Sequence, residues 1–332
     1  MATSNLSVST ASPLRRAPPR FIMETIKRSP LFAPFLFRAY NFVLKRLSDT
    51  YEAPAYFGAT FRCNVDDMIS RTILYFGFWE PNNSALISGI LEPGGVFVDI
   101  GANIGYYTLL GSTLVGARGT VVSIEASPAI FAQLEENASI NGASNVRLVN
   151  HAVSDTVDEL PLYGGTRWNR GASSTTVHEF DQEPEARVRA APLDELLSEY
   201  EMERIALIKI DIEGGELPVL RRLLDTLDKY PSEFMILAEL APQVSKDQLR
   251  VVFDGFLAAG FRTFAVENEY DTDWYLNWRR PAPLRAIKTL PSCQTDVLFV
   301  RGTSPCFFDG WRARGFGWSR AARTARPAIG PQ

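Results

Sequence analysis

Between residues 92 and 267 the apolar positions alternate between two patterns. Short, nearly continuous apolar runs occur at "VFVDI" (96–100), "TVVSIE" (120–125), "NVRLVNHAV" (145–153), "IALIKIDI" (205–212), "EFMILAEL" (233–240) and "FRTFAVE" (261–267). Between them, apolar residues recur every three or four positions, which predicts helices over 105–115, 128–141, 215–229 and 244–259. Strands alternating with helices build a parallel, doubly wound α/β sheet. Residues 156–192 break the rhythm with "GG" at 164–165 and a Thr/Val-rich run, a β-rich insertion between the third and fourth strands. A seventh strand, "TDVLFVRG" (295–302), has no helix before it and is expected as an antiparallel partner at the sheet edge.

The flanks read differently. Residues 1–20 are rich in Ser, Pro and Arg without an acid, the composition of a disordered leader or a transit peptide. Ser29–Leu47 is apolar and basic and predicts a helix after Pro34, with packing on the main domain favoured over a place on a membrane surface. The expected division is therefore 1–50 as leader and basic helix, 51–90 as an N-terminal cap, 91–302 as the catalytic domain and 303–332 as a basic tail.

Composition bounds the function. The 332 residues are 46% hydrophobic and 22% charged, with no stretch long and apolar enough for a transmembrane helix. Three widely spaced cysteines without a C-x-x-C suit a reducing, cytoplasmic setting. The net charge of −4 conceals two basic ends around an acidic body, in which residues 51–300 carry 20 Lys/Arg against 35 Asp/Glu. A body of that sign is a poor nucleic-acid surface, so no nucleic-acid partner is expected.

"GGVFVDIGANIGYYTLLG" (94–111) has the strand, glycine turn and helix of a nucleotide-type cofactor site. A dinucleotide fingerprint laid from Gly101 needs glycines where the chain has Asn103 and Tyr106. Acids stand at the carboxyl ends of the strands, where ligands of open sheets bind: Asp99, Glu125, Asp211 and Glu213, with Glu239 nearby. A pyrophosphate there would meet like charge at about 4 kcal/mol per contact near 4 Å. S-adenosylmethionine, with a sulfonium and an ammonium, suits the acids better. Gly101 and Gly105 would admit its methionine end, Glu125 its ribose hydroxyls, and Asp155 its adenine amino group. A dehydrogenase using NAD and a cofactor-binding module without catalysis are the competing readings.

"FVDIGANIGYYTLL", "VVSIEASP", "APLDEL" and above all "LIKIDIEGGELPVLRRL" (207–223) resemble the FkbM-type methyltransferases over roughly residues 75–302. The resemblance implies a class I methyltransferase fold of seven strands. It also implies O-methylation of a hydroxyl on a sugar, glycan or secondary metabolite, so a small-molecule or carbohydrate acceptor is expected. On the family pattern Asp99, Gly101, Asn103, Gly105 and Glu125 match cofactor positions, and Asp211 and Glu213 match the acids after the fourth strand.

Lys209 and Asp211 share a strand face, and a buried ammonium needs a carboxylate, so Lys209 is expected to pair with Asp99 or Asp211. Asp211 is the candidate general base, with Glu213 next. His151 and His178 lie in no catalytic motif, and no cluster has metal-ligand spacing. The Trp-bearing stretches "TRWNRGASST" (166–175) and "DTDWYLNWRR" (271–280) are candidate acceptor loops.

Overall fold

The computed structural model describes residues 15–18, 21–28, 32–164 and 183–302. An eight-stranded sheet organises it, with strands β1 (Val96–Ile100), β2 (Thr120–Ile124), β3 (Val146–Val149), β4 (Ile205–Ile210), β5 (Phe234–Leu240), β6 (Arg262–Val266), β7 (Arg285–Ile287) and β8 (Thr295–Arg301). Their spatial order is β7-β6-β8-β5-β4-β1-β2-β3. β1 to β5 run parallel, and β8 lies antiparallel to both β5 and β6. Without the short edge strand β7, the order is the seven-strand one expected of a class I methyltransferase fold.

Alternation of side chains along the strands splits the core into two layers. Phe97, Leu207, Leu237 and Leu298 face helix Tyr106–Val115 and the N-terminal elements. Val98, Ile208, Ile236 and Val297 face helices Glu216–Asp225 and Pro242–Ala258. Both faces are covered, which is why the central strands read as unbroken apolar runs. Helix Tyr106–Val115 packs so closely that a Cβ on Gly111 would stand 2.4 Å from Cδ1 of Phe97.

Residues 50–90 form a hairpin (Thr50–Pro54 with Thr60–Asn64) and two helices, Met68–Phe76 and Pro81–Ile90. The hairpin is fastened to helix Pro128–Ile140, because the Arg62 N–H donates to Asn137 Oδ1 at 2.9 Å. Phe57 and Phe61 both lie against Tyr106, at 5.6 and 6.0 Å between ring centroids.

Four expectations change. The last strand is antiparallel as expected but interior rather than at the edge, since Val297–Val300 are buried on both faces. The third strand ends at Val149, and Ala152–Val153 pairs instead with Ala186–Ala191 in a separate three-stranded sheet with Asp158–Leu162. Helix Pro242–Ala258 begins two residues before the expected start and is kinked at Ser245. The supposed leader contributes Arg15–Arg16, paired parallel with Tyr51–Glu52. The loop 166–175, His178 and the basic tail 303–332 lie outside the described residues. Among the described residues no helix is long and apolar enough to cross a membrane, and no group of three His, Cys, Asp or Glu could hold a metal ion.

Candidate active site

A cavity of about 1090 Å³ opens at the carboxyl ends of β1, β2, β4 and β5, beneath residues from 265–270 and 283–285. Among the described residues its wall carries eight carboxylates and two cations, Lys209 and Arg285.

One end is built by the glycine turn after β1. Gly101 (φ +76), Asn103 (φ +51) and Gly105 (φ +91) all adopt left-handed backbone, so the turn reverses within five residues. A Cβ on Gly101 would stand 1.7 Å from the carbonyl oxygen of Asp211, and one on Gly105 2.6 Å from Cδ1 of Leu134. The room these glycines leave is therefore taken first by the protein itself. Glu125 clamps the turn: Oε2 accepts the Asn103 N–H at 2.9 Å and Oε1 the Ser127 N–H at 2.8 Å. Burial pushes its carboxyl up to about 7 against these hydrogen bonds.

Asp99 and Asp155 are placed differently from the others. Asp99 is wholly buried in β1 and does not reach the cavity wall. Its Oδ2 accepts from Thr108 Oγ1 at 2.8 Å, which in turn accepts from Ser123 Oγ, and burial raises its carboxyl to about 6. It ties helix Tyr106–Val115 to β1 and β2. Asp155 also lies off the wall, and His151, Ala152 and Val153 occupy the place expected for it. The His151 Nδ1 is buried without a hydrogen-bond partner in the protein. With Ile104, Ile124 and Ala126 nearby, this end offers an apolar slot with one unsatisfied ring nitrogen. A flat heteroaromatic ring fits there beside a carboxylate able to accept from a diol, so the residues suit an adenosyl group.

At the end of β4, Lys209 Nζ lies 2.7 Å from Asp211 Oδ2 and 4.7 Å from the centre of the Tyr107 ring. The register sets Lys209 opposite Asp99, yet the ammonium contacts the Asp211 side chain. Burial alone would lower the Lys209 pKa, but Asp211, Glu80 and Asp99 together raise it, so the ammonium is retained. After Asp211 the chain does not stay extended. Glu213 (φ +54) and Gly214 (φ +95) turn it sharply, and Glu216 Oε1 closes the turn by accepting the Ile212 and Gly214 N–H groups. Asp211 and Glu213 both line the cavity. Burial, followed by the Asp211 and Glu216 charges, lifts the Glu213 carboxyl to about 7.

Three more acids complete this end. Glu80, Glu239 and Asp296 come from chain segments more than 50 residues apart. Glu239 and Asp296 are direct partners across the β5–β8 ladder, so both side chains leave the same face. Burial and the surrounding carboxylates push both pKa values up. Glu80 (φ +36) accepts from Tyr107 OH at 2.6 Å, Tyr270 OH at 2.8 Å and Asn83 Nδ2 at 3.0 Å. Trp79 stacks on Tyr270 with centroids 5.5 Å apart, giving the cavity an aromatic wall. Of the loop 271–280, Trp274 and Trp278 pack against the core rather than lining the cavity. The sequence offered weak signals for the missed residues: an acid inside the aromatic cluster "YFGFWEP", and an acid at the start of the otherwise apolar strand "TDVLFV".

Residues 99–254 match the methyltransferase FkbM domain. A protein named Methyltransferase 1, from Beauveria bassiana, is 28% identical over 145 residues, covering 39% of this chain and 58% of that protein. The hexuronic acid methyltransferase AglP of Haloferax volcanii is 23% identical over 167 residues, covering 50% of this chain and 65% of its own length. The chain thus spans less than two thirds of the length of either relative. A solved structure, a putative rRNA-methylase from Clostridium thermocellum, superposes with a TM-score of 0.42 at 10% identity, covering 67% of this chain and 95% of that one.

Proposed function

From the match of residues 99–254 to the methyltransferase FkbM domain, we propose that the chain methylates a carbohydrate hydroxyl using S-adenosylmethionine. The observation that carries the reading is the lining of the cavity, which among the described residues has eight Asp and Glu side chains against two cations, one of which is already paired. That balance favours a cofactor with a sulfonium and an ammonium. A dinucleotide would set its pyrophosphate among the acids at roughly 4 kcal/mol for each unpaired contact near 4 Å. The cofactor would supply a methyl group on a positively charged sulfur.

The chain's own residues do the rest. Glu125 would accept from the ribose hydroxyls, and Ile104, Ile124 and His151 would hold the adenine. The turn 101–105, fixed by Glu125, would seat the methionine end. Asp211, ion-paired with Lys209, would orient the acceptor hydroxyl and take its proton, while Glu213 stands ready as the next carboxylate. Methyl transfer at carbon depends first on alignment, so a rigid strand end suits it better than a loop. The Trp79–Tyr270 pair offers an aromatic face to a sugar ring. A relative named for acting on a hexuronic acid supports the carbohydrate class.

The test is methyl transfer from labelled cofactor to a panel of neutral and uronic sugars and polyols, with calorimetry of S-adenosylhomocysteine and NAD. Binding of the former and labelling of at least one sugar are expected. Tight binding of NAD with no response to S-adenosylhomocysteine would overturn the reading.

A further inference from the structure

Helix Ala33–Leu47 has two apolar faces, and the protein uses one of them. Leu44, buried to 1% exposure, together with Phe37 and Tyr40, packs inward; the last two lie 5.1 and 5.7 Å from the Tyr75 ring centroid. The opposite face repeats at the same helical spacing but points to solvent. Phe32 is 66% exposed, Phe35 73%, Phe42 59%, Val43 50% and Leu47 47%. Scattered exposed apolar residues are ordinary, but four on one stripe of one helix, with Phe32 at its N-cap, mark a surface that meets something apolar.

The charges around the stripe say what that is. Arg38 and Arg46 are exposed on the same helix, with the Arg46 guanidinium 4.8 Å above the Phe42 ring. Arg15, Arg16 and Arg28, in the segments preceding the helix, are also exposed. No Asp or Glu occurs from Thr25 to Ser48, although the body of the protein is strongly acidic. A second copy docking on this face through a twofold axis would bring the same arginines together. The chain's own segment 303–332, with five Arg and one Asp, has the same sign as the rim. An anionic lipid surface satisfies both features, taking the phenylalanines among its acyl chains and the arginines among its headgroups.

We propose that helix Ala33–Leu47 lies along an anionic membrane surface, inserting Phe32, Phe35, Phe42, Val43 and Leu47 and holding Arg38 and Arg46 at the headgroups. The geometry is that of an interfacial helix rather than a span, since 15 residues rise only about 22 Å. The inference is independent of the reaction assigned to the cavity, from whose wall all these residues are absent.

Flotation of the full chain with phosphatidylcholine vesicles, with and without phosphatidylserine, tests it. Binding should require phosphatidylserine and weaken with salt. F35Q/F42Q should weaken it about a hundredfold or more, from the apolar area no longer buried, at an unchanged melting temperature. R38E/R46E should weaken it at least about twentyfold, from roughly fivefold for each basic residue lost at the surface. Absence of binding to anionic vesicles would overturn the proposal, as would undiminished binding of F35Q/F42Q, which would assign the affinity to other basic segments. So would a dimer in size-exclusion chromatography that F35Q/F42Q dissolves, which would make the face an interface between copies.

Discussion

With its ammonium 2.7 Å from Asp211 Oδ2 and 4.7 Å above the Tyr107 ring, Lys209 forms an ion pair with the carboxylate that stands at the end of β4. The pair allows two roles for Asp211, taking the acceptor's proton or neutralising a buried ammonium, and mutation separates them. Asp211→Asn should lower turnover by about 10²–10⁴-fold with a much smaller change in cofactor affinity, the pattern of a group used in the transition state. Because the change also leaves Lys209 without its counter-charge, the melting temperature should fall as well. K209M/D211N should recover the melting temperature without recovering the rate. Single-turnover methyl transfer and thermal melts on the same variants supply both readings; a near-normal rate in Asp211→Asn would move the base to Glu213.

At the scale of elements, the site depends on how closely two strand ends approach. The Asp211 N–H donates to the Ile100 carbonyl at 3.0 Å, and Gly101 follows directly with its α-carbon against the Asp211 carbonyl. Gly101→Ala would put a Cβ 1.7 Å from that backbone oxygen at a φ of +76, and neither backbone has a flexible end to yield. A loss of at least about 2 kcal/mol in denaturant unfolding is expected, from overpacking together with left-handed strain. Cofactor affinity should fall with it, because the β1 turn and the β4 end would have to separate. Stability within about 0.5 kcal/mol of the unchanged protein, a typical surface-substitution effect, would show that the approach is looser than drawn.

For the whole molecule, the buried acids in and around the site make stability depend on pH in an unusual sense. Asp99 at about 6, and Glu125, Glu213 and Glu216 at about 7, are raised chiefly by burial above their ordinary values near 4. In that window the folded chain binds more protons than the unfolded one, so stability falls as pH rises from about 4.5 to about 7. Asp194, held near 2 first by its hydrogen bonds to Arg222, contributes a constant amount over the same range. Thermal melts at fixed ionic strength should therefore show a higher melting temperature at pH 5.5 than at pH 8. A flat or opposite profile would mean that the four carboxyls are better solvated than their burial implies.

The sequence alone determined the doubly wound architecture, because strands covered on both faces must be continuously apolar and helices covered on one must be periodic. It also located the turn 101–105 and the block from Lys209 to Glu216, where function and fold constrain adjacent residues and leave a local pattern. Tertiary structure decided what depends on residues far apart in the chain. It moved β8 into the interior of the sheet, which its apolar length allowed but did not require. It turned Asp99 inward to Thr108 and set His151 on the cavity wall while Asp155 stayed off it, since direction and depth arise from packing. It brought Glu80 and Asp296 beside Glu239 across more than 200 residues, a juxtaposition with no sequence period. It left one face of helix Ala33–Leu47 in solvent, because a doubly apolar helix shows both faces in its sequence but only packing selects which is covered.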